Sequence, residues 1–310
     1  MLLKQLMEMY ELLDRADASG KIVKEYLETY GAKEVVVKKL LGNKGHTDFI
    51  KIRIPGTSGK SKETDAPTIG IIGRLGGVGA RPTSIGMVSD GDGALVTLTI
   101  ALKILEMQKR GDYLEGDVIA CTQICPNAPT EPHEPVTFMC CPVEISTLIK
   151  EEVDNNMDAI LSVGASKGTR IINTRGIAIS PTVKEGYILK VSDDILNILQ
   201  ITTGRMPYVF ALSTLDITPS GNGLYHLNSI LQPSTITKAP VVGVGITTEV
   251  AVPGSATGVS HFDDLESAAR FMLEVAKAYG RRQCNFYDKE EFNKILEKYG
   301  SMNHLQTLGK

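Results

Sequence analysis

The sequence predicts an α/β protein, a three-layer αβα sandwich around a mixed, mostly parallel sheet. Three observations carry this. Residues 68–73 (TIGIIG), 117–121 (DVIAC) and 241–246 (VVGVGI) are apolar runs rich in β-branched residues, too short for buried helices and suited to strands covered on both faces. Longer stretches at helical spacing, 94–105 and 262–279, alternate with them. Glycine- and proline-rich polar segments follow several of the apolar runs, as loops at the ends of strands do. The chain has 310 residues, 42% hydrophobic and 22% charged, which is enough apolar material for a large core. It shows neither an internal repeat nor a low-complexity linker, so one domain over 1–310 is expected: N-terminal helices in 1–31, an α/β core in 32–280, and a C-terminal helix and tail in 281–310.

Leu2, Leu3, Leu6, Met9, Leu12 and Leu13 recur at helical spacing up to the break at Ser19 and Gly20, and Ile22, Val23, Tyr26 and Leu27 resume it, which predicts two amphipathic helices. The segments 35–37 and 49–54 alternate or run apolar with β-branched residues and predict strands at an exposed sheet edge, followed by a polar turn over 56–65. The run 68–73 is placed centrally. Good helix formers fill 94–105, closed by Lys109, Arg110 and Asp112 before the strand at 117–121. Further strands are expected at 158–163, 176–180, 187–191 and 241–246, and further helices at 193–201, 262–279 and 289–298.

Composition narrows the function classes. A net charge of −3 gives no electrostatic drive toward nucleic acid or acidic membranes. No apolar run reaches the roughly 18 residues that a membrane span needs, and Lys4 and Glu8 interrupt the place where a signal peptide keeps its apolar stretch. Five cysteines, two of them adjacent at 140 and 141, form no disulfide framework, so reduced thiols and a cytoplasmic location are expected. Tryptophan is absent, which leaves little for a stacking platform. The expected partner is a small molecule, anionic in character, with homo-oligomerisation expected on general grounds.

Ligands of open α/β sheets bind beyond the carboxyl ends of the strands, so four loops carry the candidate chemistry. In 73–82 (GRLGGVGARP), Gly76, Gly77 and Gly79 would let backbone amides approach a ligand while Arg74 and Arg81 clamp a carboxylate or phosphate; the alternative is a glycine turn under a tight connection. The spacing fits neither the dinucleotide fingerprint nor a P-loop. In 88–94 (VSDGDGA), Asp90 and Asp92 would bind a divalent metal or act as bases, or cap the helix that follows. In 121–135, four prolines fix an irregular path bearing Cys125, Asn127, Glu131, His133 and Glu134. Cys125 with His133 would be a nucleophile and its base, or Cys121, Cys125, His133 and Cys140 would hold zinc, or the thiols are buried small hydrophobes. In 247–264, Thr248 and other hydroxyl residues would hydrogen-bond a polar ligand, and His261 either titrates there or starts a helix. His226 is read as part of a turn at a helix start, and His46 and His304 carry no role.

The central strand, the Ser-Asp-Gly-Asp-Gly segment at 89–93 ahead of a buried helix, and the strand at 116–120 resemble co-catalytic zinc aminopeptidases, as do 240–246 and 263–268 at the far end. The resemblance spans about Thr47 to Gly280. It implies that fold, and a metal-bridging carboxylate at Asp90 with Asp92 beside it. The chain departs from the pattern elsewhere. Gly73-Arg74-Leu75-Gly76 stands where those enzymes carry His-x-Asp, and Ile124-Cys125 where they carry Glu-Glu. Their later aspartate falls near Gly164, and their final histidine near Pro253 or Gly254. The motifs GRLGGVGARP, SDGDGA, CPNAP and SHFDD resemble the prokaryotic group called domain of unknown function family 1177.

Two functions follow as expectations. One is a hydrolase of a small amide or peptide-like carboxylate, with Arg74 and Arg81 gripping the carboxylate and Asp90 or Glu134 as base or metal ligand. The other is a metal-free protein that holds a small anion in the same cleft without turnover.

Overall fold

The computed structural model describes residues 1–74, 77–134, 136–166, 168–250 and 260–307. Helices α1 (Leu3–Leu13) and α2 (Gly20–Thr29) open the chain, the second started by Ser19, whose hydroxyl accepts from the Ile22 amide. Strands β1 (Glu34–Gly42) and β2 (Gly45–Ile54) form a hairpin. Strand β3 (Ile69–Gly73) leads toward helix α3 (Asp92–Lys109), and β4 (Val118–Ile124) follows. A two-stranded ribbon, β5 (Thr130–Glu131) with β6 (Phe138–Met139), precedes helix α4 (Ile145–Glu152) and strand β7 (Ala159–Ala165). Strands β8 (Gly176–Ile179), β9 (Thr182–Lys184) and β10 (Tyr187–Leu189), helix α5 (Asp193–Thr203), strand β11 (Val241–Thr247) and helices α6 (Phe262–Gly280) and α7 (Lys289–Tyr299) complete the described elements.

The main sheet runs β1-β2-β4-β3-β7-β11-β9-β10, with β8 also paired to β11. Its centre is parallel (β4, β3, β7, β11) and its flanks antiparallel, which is the mixed α/β sandwich that the sequence predicts. The edge position predicted for 49–54 is corrected: β2 lies between β1 and β4, so β1 alone of the hairpin is at the edge, and Phe49, Ile50, Ile52 and Ile54 are all buried.

Strand parity sorts the core into two layers, because successive side chains point to opposite faces. Ile69, Ile71, Leu161, Val163, Val242 and Val244 pack with Leu6, Leu98, Leu102, Leu265 and Met272 of α1, α3 and α6. Each such side chain contributes about 1.5–3 kcal/mol by leaving water. Ile72, Cys121, Ile160 and Val241 face the other way, against Phe210, Ile217, Ile230 and Leu231. That second layer is built from α4 and two 3-10 segments, Thr214–Ile217 and Ser229–Thr235, rather than from long helices. Short irregular pieces cover a sheet incompletely, and a cavity stands at its carboxyl edge.

Candidate functional site

Beyond the carboxyl ends of β3, β4 and β7 lies a cavity of about 760 Å³. Arg74, Gln123 and Ser166 line it. They sit on the strand parity of Ile72, Cys121 and Ile160, so the pattern that buries the second layer also aims these polar groups into the cavity. The main chain holds them there: the Arg74 amide donates to the Val163 carbonyl at 2.7 Å and the Ser166 amide to Ile246 at 2.8 Å, continuing the sheet ladder. Ser89 and Asp90, in the turn before α3, add a hydroxyl and a carboxylate, and Asp90 is 4% exposed. The ribbon residues Phe138 and Met139, the adjacent thiols Cys140 and Cys141, Asn228 and His226 also line it, with Lys44 and Glu144 among the rest of the wall.

Arg74 is 3% exposed and donates from Nη1 to Glu152 of α4 at 2.5 Å. Both charges are buried, and each offsets the desolvation of the other. Among the described residues, Arg74 Nε has no acceptor. Nearby, Gln123 Nε2 and the Cys141 thiol lie 4.0 Å apart, and burial pushes that thiol up to about 11. On the opposite wall, Asn228 caps the segment Ser229–Thr235 by accepting from the Ile230 amide, which directs its Nδ2 to Ser166 Oγ at 3.2 Å. Asp216, fully buried, pins this loop by accepting from the amides of Leu227 and Asn228 at 2.6 and 3.0 Å.

The structure brings Arg74 and Asp90 together in one cavity, whose wall also includes Cys140 of the candidate zinc set, and the other described candidates lie outside its lining. Arg81 donates to the carbonyls of Pro126 and Asp14, tying the glycine loop to the end of α1, so the two-arginine clamp is not formed. Gly77 and Gly79 serve close packing. A Cβ on either would come within 2.6 Å of the Cys125 or Pro126 carbonyl, and the Gly79 amide is already bonded to Cys125 at 3.1 Å. Gly76 lies outside the described residues, as do Pro253 and Gly254. Asp92 is wholly buried and accepts from Ser260 Oγ, away from the cavity-lining groups.

Cys125 is 2% exposed in an apolar cluster with Ala80, Val88, Ala128 and Met139. Burial raises its thiol above the ordinary value, and Sγ donates to Asn127. His133 is exposed, with Nδ1 3.1 Å from the Val136 carbonyl, so the expected thiol–imidazole hydrogen bond is replaced by these local contacts. Glu134 and Asn127 are exposed. Thr248 accepts from the Gly168 amide and donates to Val250, holding two loops together. His261 is exposed at the start of α6 beside Asp264, the helix-start alternative.

Sequence reasoning passed over Gln123, Cys141, Ser166 and Asn228, and read His226 as part of a turn where the structure sets it on the cavity wall. Gln123 had a signal, a lone amide inside the apolar run VIACTQI, obscured because the strand was ended at Cys121 whereas β4 continues to Ile124. Ser166 and Asn228 meet across 62 residues and leave no local trace.

A mixed sheet with a ligand-sized opening beyond its parallel strands, flanked by α3 and α6, defines an aminopeptidase-like α/β scaffold. The solved TET aminopeptidase of the marine sediment archaeon Thaumarchaeota archaeon SCGC AB-539-E09 superposes with a TM-score of 0.50 at 13% identity, covering 90% of this chain and 99% of that one. At that identity the likeness is one of fold. The chain belongs to the family described as Protein of unknown function (DUF1177), which matches residues 38–309. No curated protein matches the sequence.

The donor set does not fit the dinuclear zinc centre of the co-catalytic peptidases. A buried guanidinium, Arg74, stands at the end of β3, and β4 ends on Ile124 and Cys125. Among the described residues no three His, Cys, Asp or Glu side chains gather as metal ligands, and Asp90 and Asp92 face different surroundings.

Proposed function

We propose that this chain binds a small carboxylate-bearing molecule of amide or peptide-like character in the cavity, with Arg74 meeting the carboxylate. One observation carries the reading: a guanidinium 3% exposed at the cavity, whose side chain makes a single hydrogen bond among the described residues. An unmet buried donor costs about 1–3 kcal/mol, and a carboxylate is the acceptor that matches the guanidinium fork. Gln123, Ser166 and Asn228 supply the neutral hydrogen-bonding groups that an amide requires.

Retention without turnover is the reading that the geometry favours, since the thiol nominated as nucleophile lies outside the cavity lining. Hydrolysis of the same class of molecule stands as a second reading because Asp90 lines the cavity and would act as a general base there. Calorimetric titration with acetate and N-acetylglycine, beside a turnover screen of dipeptides and cyclic amides, separates them. Arg74→Lys keeps the charge opposite Glu152 but loses the fork, and should weaken carboxylate binding about tenfold or more. Turnover abolished by Asp90→Asn selects hydrolysis, and unchanged affinity in Arg74→Lys defeats the carboxylate assignment.

A further inference from the structure

We infer that His226 is the proton acceptor of the cavity, taking a hydrogen bond at Nδ1 from an N–H group on the same molecule whose carboxylate meets Arg74. The inference rests on the carboxylate-binding reading and narrows it to acids that carry an N–H, such as amino acids, N-acyl amino acids and small peptides.

The hydrogens around His226 fix its tautomer. His226 lines the cavity and is half-buried. Its Nε2 lies 3.1 Å from the Thr218 carbonyl and 3.1 Å from Thr218 Oγ1. A carbonyl oxygen only accepts. The Thr218 hydroxyl proton is committed to the Leu215 carbonyl at 2.8 Å, and Oγ1 also accepts from Asn222 Nδ2 at 3.0 Å. Both Thr218 atoms are therefore acceptors toward the ring, so Nε2 carries the proton and Nδ1 of the neutral imidazole is bare. The surroundings hold this tautomer. Gln232, fully buried, donates to the same Thr218 carbonyl at 2.9 Å, and Asp216 fixes the backbone immediately after the histidine through the Leu227 and Asn228 amides. An imidazole anchored through one nitrogen at a cavity wall is placed to accept with the other, which is how a protein orients a base. Among the described residues, the exposed His133 has the Val136 carbonyl and the tilted ring of Phe138 beside it.

Long-range proton–nitrogen NMR on the whole protein at pH 8, with His226→Phe to assign the resonances, reads the tautomer without any ligand. The expected result is a proton on Nε2; a proton on Nδ1 overturns the inference. Titration then compares acetate, which offers only a carboxylate, with N-acetylglycine, which adds an N–H. The wild type should prefer N-acetylglycine by about tenfold, with the preference lost in His226→Phe. If acetate binds in an Arg74-dependent manner but the preference survives His226→Phe, the inference fails and the carboxylate reading stands. If neither acid binds, both fall together.

Discussion

Ile71 and Ile72 are neighbours in β3 and face opposite ways, into two regions built on different principles. Ile71 looks into a continuous apolar layer under α1, α3 and α6. Ile72 looks toward the thinner layer of α4 and 3-10 segments, where Arg74, Glu152, Asp216 and Gln232 are all buried. The first face is held by the hydrophobic effect, which tolerates small shifts. The second is held by charges and amides that must each find a partner. A cavity lined with polar groups stands on the second face, where the charges of Arg74 and Glu152 and the side chains of Asp216 and Gln232 are already buried with partners.

The sharpest way to break the comparison is to remove Glu152. Glu152→Ala leaves the Arg74 guanidinium buried without its counter-charge and should cost about 3–5 kcal/mol in urea unfolding. The double variant Arg74→Met with Glu152→Leu should recover much of that stability while losing carboxylate binding. On the other face, Leu98→Ala should cost about 2–5 kcal/mol through the cavity it leaves, with carboxylate affinity unchanged. Equal loss of affinity in Leu98→Ala would mean that the two faces are not separable.

The first face was legible in the sequence, and the second only in part. The runs at 68–73 and 241–246, the helix at 94–105 and the N-terminal pair announce themselves by periodicity, since burial against helices is a repeating demand on local sequence. Strand β9 and helix α4, three and eight residues long, fell below that signal, although α4 carries Glu152. At the site, Arg74 and Asp90 were found because strand ends can be located. The clamp with Arg81 failed because a guanidinium close in sequence was assumed close in function. Arg81 instead reaches Asp14, 67 residues away. The Thr218–His226 and Asn228–Ser166 contacts arise from tertiary packing that no local pattern encodes.

Arg81 provides a smaller test of the same distinction. Its two hydrogen bonds to the Pro126 and Asp14 carbonyls fasten the N-terminal helices to the glycine loop. Arg81→Ala should cost about 1.5–3 kcal/mol and leave carboxylate affinity untouched, the reverse of Arg74→Lys. A fall in affinity without a fall in stability would restore the two-arginine clamp.

The thiols separate the glycine-loop cluster from the cavity wall by rate. Burial raises Cys125, whose side chain packs among apolar groups, whereas Cys140 and Cys141 are half-buried at the cavity. Burial and a hydrogen bond with Glu131 also raise Cys140, and burial pushes Cys141 up to about 11, so none is an activated thiolate and access decides the order. Mass-resolved alkylation at pH 8 should modify Cys140 and Cys141 more than about tenfold faster than Cys125. Fast labelling of Cys125 would return it to the list of nucleophiles.

The smallest effect distinguishes two carboxylates within the helical layer itself. Glu106 of α3 is raised by burial, but hydrogen bonds from Lys4 and Gln5 of α1 outweigh this and hold it below 4.5. Its folded-state value is therefore depressed. The stability it contributes is present above the unfolded value of 4.5 and is lost as pH falls through the lower folded value. Asp264, at the start of α6, runs the other way: burial and then Asp263 raise it above 3.8, so folding disfavours its charge and acid relieves that cost. Unfolding midpoints measured across the acid range should show the stability advantage of wild type over Glu106→Gln shrinking below pH 4.5. Asp264→Asn should be the more stable protein at neutral pH, with its advantage shrinking as Asp264 protonates. A Glu106→Gln difference that stayed constant with pH would show that the α1–α3 contact does not depend on the carboxylate charge.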